Sequence, residues 1–272
     1  MNELSREAIE QSGYRRDGFA EHYDAYRPAP PAVLLDTLTR YVAGPPLRRV
    51  VDLGSGTGLS TRAWADRAGE VIGVEANPAM RAIAGARTAQ TNVRYVEAFA
   101  AETGLPAGSA DLVTCSQSFH WMEREPVLAE AARILRPGGV FAAYDYDMPP
   151  VVHPEVDRVF TEHLVLRRHF RDVHEVSAGW TRTPKVGHLD AIRESGHFAF
   201  ARELVLHDEA EAGADDVVGL ARSLGLVPEL RALGVTDDEL GLTRLEETAR
   251  RVLGRSRLPW LVGYRVRLGV KA

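Results

Sequence analysis

The sequence predicts a doubly wound α/β fold, with a mostly parallel sheet and a helical insertion. Three observations carry that expectation. Short β-branched runs alternate with helical stretches between about residues 50 and 145. The first run, Val50-Val51-Asp52-Leu53, opens into Gly54-Ser55-Gly56-Thr57-Gly58, a turn with a glycine at every second position. Two more alternating runs, at 199–206 and 260–270, come late and are separated from the others by polar helical sequence.

The Val50–Leu53 run reads as a buried strand. Glycines suit the turn after it, because a Cβ would block close approach of a ligand or the positive φ the chain needs. A helical run from Leu59 to Arg67 follows, its N-terminal amides directed back at the turn. The next strand-like run, Val71 to Val74, ends at Glu75, where a carboxylate can accept hydrogen bonds from both hydroxyls of a ribose. Pro78 to Arg87 reads as a helix and Val93 to Val96 as a strand. Asp111 to Cys115 is a strand after the turn Pro106–Ser109, and Glu125 to Leu135 is a helix. Arg136-Pro137-Gly138-Gly139 is a tight turn into the strand Val140–Tyr144, with proline presetting one angle and glycine supplying another. Ligands of such sheets bind outside the carboxyl ends of the strands. The glycine turn, Glu75 and the ends of the fourth and fifth strands all fall on that edge.

Pro149-Pro150 breaks the pattern. A charged, His-rich helical stretch from Pro154 to Val176 leads into polar helical sequence up to Glu194. A strand at Ala199–Leu206, helices at Asp215–Leu224 and Asp237–Leu253, and a closing strand at Trp260–Val270 complete the chain. Both of those helices begin with acidic residues, which complement the helix dipole. The expected division is an N-terminal helical cap at 1–44, a core at 45–148, and a helical substrate lid at 149–272 interleaved with the last two strands.

Composition narrows the partners. The chain has 272 residues, 45% hydrophobic and 26% charged, with a formal net charge of −5. That length buries a sizeable core, and the charge gives no reason to expect a nucleic acid. The C-terminal cations Arg251, Arg255, Arg257, Arg265, Arg267 and Lys271 read as a solvated face rather than an RNA-binding patch. The single cysteine, Cys115, cannot form an internal disulfide and reads as a small core residue, which fits a cytoplasmic location. No apolar run approaches the ~18 residues of a membrane span, and the polar, acidic Met1–Glu7 does not read as a signal peptide. No metal spacing appears: His163, His169 and His174 lack the i, i+3 or i+4 relation that would share a helix face, and read as surface or substrate-lobe residues. The expected partner is a small-molecule acceptor, without nucleic acid or membrane, for a monomer or homodimer.

The glycine spacing separates nucleotide classes. A dinucleotide fingerprint needs a third glycine at position 59, which is Leu59, so an NAD-dependent dehydrogenase is disfavoured. The Asp52–Gly58 segment resembles motif I of the class I S-adenosylmethionine (SAM)-dependent methyltransferases. That resemblance implies a Rossmann-like seven-stranded sheet, SAM as cofactor and S-adenosylhomocysteine as product. It makes Glu75 the ribose ligand, and Asp52, Gly54, Ser55, Gly56, Thr57 and Gly58 the loop under the methionine part. Within the class the chain looks like the trans-aconitate-methyltransferase-type group of small-molecule methyltransferases. The segments that match are Tyr23-Asp24-Ala25-Tyr26-Arg27-Pro28, Thr103–Pro106 with Ser109–Val113, Ser116-Gln117-Ser118-Phe119-His120-Trp121, and Arg133–Gly139. They span residues 20–145, and the last third matches only loosely.

The same resemblance implies site residues. Tyr23 and Arg27 are candidates to hold the cofactor's carboxylate, since Arg offers a planar fork. Ala76, Met80, Ala101, Glu102, Ser116 and Gln117 complete the cofactor site. Tyr26, His120, Trp121, Tyr146 and Trp180 face the acceptor. His120 is either a general base or acceptor-orienting donor, or a histidine capping its loop. Tyr144, Asp145, Tyr146 and Asp147 either bind the acceptor or are solvated strand-end residues; the catalytic candidates are His120, Tyr144 and Asp145. Trp180, Trp260 and Tyr264 are core or lid aromatics. Two departures stand out. The group's A-E-x-T-G-L-P carboxylate is shifted by one, to Glu102 in Ala100-Ala101-Glu102-Thr103, so backbone amides near Ala101 replace it as the adenine-edge expectation. Its tryptophan-asparagine pair after the fifth strand is replaced by Tyr144–Asp147. The expected function is methyl transfer to a small molecule, first a carboxylate oxygen and then C- or N-methylation. The alternatives are a SAM-binding cyclase or lyase releasing methylthioadenosine, and a non-catalytic SAM-binding protein.

Overall fold

The computed structural model describes residues 19–42, 46–176 and 183–272. Seven strands form one sheet: β1 (Leu47–Leu53), β2 (Ala68–Val74), β3 (Val93–Val96), β4 (Ala110–Ser116), β5 (Leu135–Tyr146), β6 (Phe198–Ala212) and β7 (Leu258–Lys271). Their order is β3-β2-β1-β4-β5-β7-β6. β1 to β5 pair in parallel, and β7 enters antiparallel beside β5. The expected doubly wound, mostly parallel seven-stranded sheet is the fold observed. β1 lies between β2 and β4, so the chain reverses its progress across the sheet there, the topological position at whose strand ends ligands of such sheets bind.

The helices of the described residues are α1 (Phe19–Tyr26), α2 (Ala32–Tyr41), α3 (Leu59–Ala63), α4 (Pro78–Arg87), α5 (Arg124–Ile134), α6 (Pro154–Val173), α7 (His188–Glu194), α8 (Ala214–Arg222), α9 (Leu226–Ala232) and α10 (Leu242–Leu253). The helix expected from Leu59 to Arg67 is shorter than predicted: α3 stops at Ala63, and a 3-10 turn at Ala65–Arg67 follows. The turn expected at 136–139 lies inside β5, where the pairing jumps from Ala110↔Leu135 to Leu112↔Val140 and loops out the intervening residues. Asp111 pins this corner. Its Oδ2 accepts the backbone N–H groups of Arg48 (2.8 Å) and Arg49 (2.9 Å), and its Oδ1 accepts from Arg136 Nε (2.6 Å).

The chain divides into two compact units. One takes in residues up to Pro28, Asp147–Trp180 and His207–Gly263; the other takes in Ala29–Tyr146, Thr181–Leu206 and Tyr264–Ala272. The second unit carries most of the sheet, and its core packs Val51, Ile72, Val113, Cys115, Phe119 and Phe141 together with Ile192 of α7. The break falls after Pro28, where the sequence placed it after residue 44, because α2 buries Leu34 and Leu38 completely. Each such side chain contributes about 1.5–3 kcal/mol, enough to fix an amphipathic helix to its unit. Residues 181–206 join the sheet unit for the same reason, through Ile192.

The first unit is built around α6, which packs on α10, while α10 also packs on α8. Pro154 starts α6 and the His153 side chain caps it, accepting from Glu155 N. Val156, Val159, Phe160, His163 and Leu164 form its buried stripe, at i, i+3, i+4, i+7 and i+8. His163 is therefore a core residue and not the surface residue expected: its exposure is 0%, and its Nδ1 lies 2.7 Å from Leu240 O. One helix start also differs from expectation. α10 begins at Leu242, not Asp237, because Gly241 takes a left-handed φ of 71°, and no acidic residue occupies its first turn. A separate short helix, α9, was not foreseen. Among the described residues no helix is long and apolar enough to cross a membrane, and no group of His, Cys, Asp or Glu is placed to hold a metal.

Burial, opposed by its bond to Leu240, lowers the His163 pKa from 6.5 to about 4. The folded state thus keeps the imidazole neutral where the unfolded chain already binds a proton. The stability this provides is present above pH 6.5 and is lost as pH falls toward 4. Between pH 7 and pH 5 the loss is about 2 kcal/mol. Urea unfolding at the two pH values should show that difference, and H163Q should flatten it.

Candidate active site

The glycine turn joins β1 to α3. Gly54, Gly56 and Gly58 all adopt left-handed φ, at 67°, 55° and 80°. The loop is fastened to β2, because Gly54 N (2.8 Å) and Ser55 N (3.1 Å) both donate to Val74 O. It is closed by Gly58 N donating to Ser55 O at 2.9 Å. A Cβ on Gly56 would stand in open space, whereas one on Gly58 would overlap the Tyr95 hydroxyl and approach Arg62 Nη1 at 2.8 Å. The middle glycine thus stands in open space, while the first is walled by Met122 and Ser118 and the last by Tyr95.

Asp52 braces the loop from beneath. It is fully buried; Thr61 donates to its Oδ2 and Thr114 to its Oδ1, each at 2.8 Å. Burial pushes its pKa up to about 6, against the hydroxyl donors that favour the charged form. Asp52 thus has no face open to a ligand, and it acts on the loop through α3 and β4. Glu75, one residue past β2, is half-buried at the same strand-end edge. Its Oε2 accepts from Gly56 N and its Oε1 from Asn77 N, both at 2.8 Å. Burial raises its pKa, while those backbone donors hold it down. Asn77 then caps α4 by accepting from Ala79 N and Met80 N, which sets Ala76 and buried Met80 beside the carboxylate. Ala101 and Glu102 are exposed, in a turn where Glu102 N donates to Phe99 O at 3.0 Å.

The ends of β4 and β5 carry the second half of the site. Ser116 pairs with Tyr144, and the next residue, Gln117, takes a left-handed φ of 54°. That conformation costs a non-glycine residue roughly 1–3 kcal/mol. Ser118 follows, its Oγ donating to Leu53 O at 2.7 Å. His120 and Trp121 occupy a 3-10 turn, with ring centroids 5.0 Å apart, and His120 is buried.

Tyr144, Asp145 and Tyr146 are all buried, which removes the reading of them as solvated strand ends. Tyr144 is not placed as a catalytic group either. Its hydroxyl lies 2.6 Å from Ser60 Oγ, and burial raises its pKa, so the proton stays on the oxygen. Asp145 is the hub of a charged cluster: Oδ1 lies 2.7 Å from Lys185 Nζ and 3.6 Å from His120 Nδ1, and Oδ2 lies 3.2 Å from Arg267 Nη1 and 3.9 Å from His188 Nε2. With two cations on it, Asp145 is an anchor and not an open carboxylate. Arg267 is buried, contrary to its reading as part of a solvated face, and it also pairs with Glu203 at 2.6 Å. Other residues of that face have partners too: Arg257 with Asp216, Arg251 with Glu155, and Lys271 with the carbonyls of Ala132 and Leu135. The sequence reading missed Lys185, His188, Arg267 and Glu203. A buried acid within Val140–Tyr146 required a cation, but only the antiparallel register of β7 shows where that cation comes from.

Among the remaining candidates, Tyr23, Tyr26 and Arg27 lie in the first unit. Arg27 stacks its guanidinium over the Tyr23 ring at 4.6 Å and donates to Ser223 O at 2.9 Å. Tyr26 packs where a Cβ on Gly219 would stand. Tyr146 makes an edge contact with Tyr264, whose hydroxyl donates to Ala29 O at 3.0 Å. Cys115 is buried as expected, and burial pushes its thiol pKa well up. Trp180 lies outside the described residues.

Residues 51–143 match the family model of a methyltransferase domain. The chain is 36% identical over 117 residues to an uncharacterized methyltransferase of Mycobacterium tuberculosis, covering 43% of this chain and 46% of that one. It is 30% identical over 145 residues to a probable S-adenosylmethionine-dependent methyltransferase of Saccharomyces cerevisiae, covering 51% and 50%. The chain spans about half the length of these curated relatives. Among solved structures it is similar to a candidate type II methyltransferase from Anaeromyxobacter dehalogenans, with a TM-score of 0.68, 26% identity, and coverage of 90% of this chain and 98% of that one. Residues 51–143 thus match a methyltransferase domain, and the sheet that carries them has the fold of a methyltransferase structure.

The middle and last glycine positions should respond differently to alanine. G56A meets no protein atom and should cost only the left-handed strain, about 1 kcal/mol. G58A carries the same strain plus the collision with Tyr95, and should lower the unfolding midpoint clearly further. Thermal unfolding of the two variants side by side checks this order.

Proposed function

We propose that this chain is a SAM-dependent methyltransferase acting on a small-molecule acceptor. The observation that supports it most is the Glu75 carboxylate tied to Gly56 N, beside three left-handed glycines, within the stretch that matches a methyltransferase domain. The residues present fit SAM. The Glu75 carboxylate takes backbone donors from Gly56, Asn77 and Ala76 and still has acceptor capacity to offer a ribose hydroxyl. Space stands open over Gly56, and Ser55 Oγ is a buried polar atom with no hydrogen-bond partner. In this reading Gly54–Gly58 lies under the methionine part, Ala76 and Met80 flank the ribose, the backbone near Ala101 and Glu102 takes the adenine edge, and Ser116 and Gln117 close the fourth-strand side.

The bound sulfonium supplies a methyl group that is already a good electrophile. The chain's own contribution is to hold the acceptor in line and exclude water. Trp121 walls the acceptor side. A carboxylate acceptor, which the trans-aconitate-type resemblance favours, has no proton to lose and needs no base. An acceptor amine, hydroxyl or carbon acid does, and His120, 3.6 Å from Asp145, is the residue we assign to it.

Incubation with methyl-labelled SAM, with and without a metabolite extract, tests the reading by mass spectrometry. Label entering an extract compound together with S-adenosylhomocysteine is the expected result, and release of that label in mild alkali identifies an ester. Methylthioadenosine formed from SAM alone would replace methyl transfer with the cyclase or lyase alternative. Separately, E75Q puts an amide donor against a backbone donor and should weaken SAM binding at least tenfold in calorimetry, about 1.4 kcal/mol. Unchanged affinity would remove Glu75 from the site.

A further inference from the structure

Gln117 carries an unusual combination of features. Its backbone is left-handed, and its side-chain Nε2 is buried with no hydrogen-bond partner. Strained backbone and an unsatisfied buried donor coincide chiefly where a ligand completes the site. The position is right for one. Gln117 N donates to Tyr144 O at 3.0 Å, and the next residue, Ser118, has its Cβ 2.8 Å from where a Gly54 Cβ would stand. The residue that follows Gln117 therefore abuts the first glycine of the loop.

Its other end is fixed by Lys185. Lys185 Nζ donates to Gln117 Oε1 at 2.9 Å. An ammonium can only donate, so this contact decides which end of the amide is oxygen and leaves the NH2 as the group offered elsewhere. Lys185 is held in turn by Asp145 (2.7 Å), Asp145 by Arg267 (3.2 Å), and Arg267 by Glu203 (2.6 Å). A row of alternating charges thus runs from β6 through β7 and β5 to the end of β4, within one unit, and terminates in an oriented amide.

We propose that Lys185 is a positioning residue: it locks Gln117 as a hydrogen-bond donor to an oxygen of the ligand seated on the glycine loop. The residue lies outside every motif of the core and comes from the segment 183–187, which is joined to the β4 edge by Thr183 N donating to His120 O at 2.9 Å. The proposal rests on the SAM reading above, with the ligand's carboxylate or hydroxyl oxygen as the acceptor of the Gln117 NH2.

Calorimetric binding of S-adenosylhomocysteine to the full chain tests it, with unfolding midpoints measured alongside. K185M should weaken binding about tenfold while the chain still folds, its midpoint lowered by loss of the pair with Asp145, and K185R, which keeps the donors and that pair, should recover most of both losses. Q117E keeps the contact with Lys185 but offers no donor, and should weaken binding at least as much as K185M. K185M or Q117E binding within twofold of wild type would overturn the proposal, as would failure of K185R to restore what K185M loses. Absence of binding by the wild-type chain would instead overturn the SAM reading itself.

Discussion

The closing of two threonine hydroxyls on the buried Asp52 carboxylate is the constraint on which the site depends. Thr61 belongs to the helix after the glycine loop, and Thr114 to the neighbouring strand. A buried carboxylate without donors would cost several kcal/mol, so the three residues form as a group or not at all. Their closure fixes where the helix starts and how far β4 slides along β1. The loop between then has one path, and Val74 O captures its two leading N–H groups. Glu75 follows Val74 directly, so the same contact places its carboxylate against the loop.

Polar groups in this core sit at two levels. Asp111 ties strand beginnings at one end of the sheet, and Asp52, Asp145 and Glu75 lie toward the other. At the first end every carboxylate oxygen is used within the protein. At the second some capacity is left over: the remaining lone pairs of Glu75, Ser55 Oγ and Gln117 Nε2. That asymmetry suits a reaction that asks the protein for alignment and dryness more than for proton transfer. Groups already satisfied keep their place, and the unsatisfied ones have something to offer a ligand.

Most of the sheet core was legible because its signals are local. Val50–Leu53, Val71–Val74 and Asp111–Cys115 are short β-branched-rich runs, bounded by turn residues, of the kind a buried parallel strand carries. The glycines of 54–58 state their own conformation. What stayed illegible depends on distant pairing. His163 sits on the apolar stripe of its helix, and its place is set by its spacing to valine and phenylalanine, not by its spacing to the other histidines. Tyr144 and Asp145 look like strand-end polar residues until β7 covers them. Arg267 looks like one of several C-terminal cations until register sets it diagonally from Asp145. Helix boundaries at 237–242 failed on a single left-handed glycine, which acidic composition outvoted.

The strand order has a consequence for the order of synthesis. β7 lies between β5 and β6, yet it is made after both, with five helices and β6 intervening after β5. Until it emerges from the ribosome, β5 presents an unpaired edge with Val140, Phe141 and Ala142, and β6 has no neighbour to pair with. Asp145 likewise waits for Arg267 to receive its buried cation. The nascent chain therefore holds an open hydrophobic sheet edge for much of its production, and a holdase or a slow final docking step fits that interval. Insertion of the late strand is then the event that turns a sticky half-sheet into a closed one.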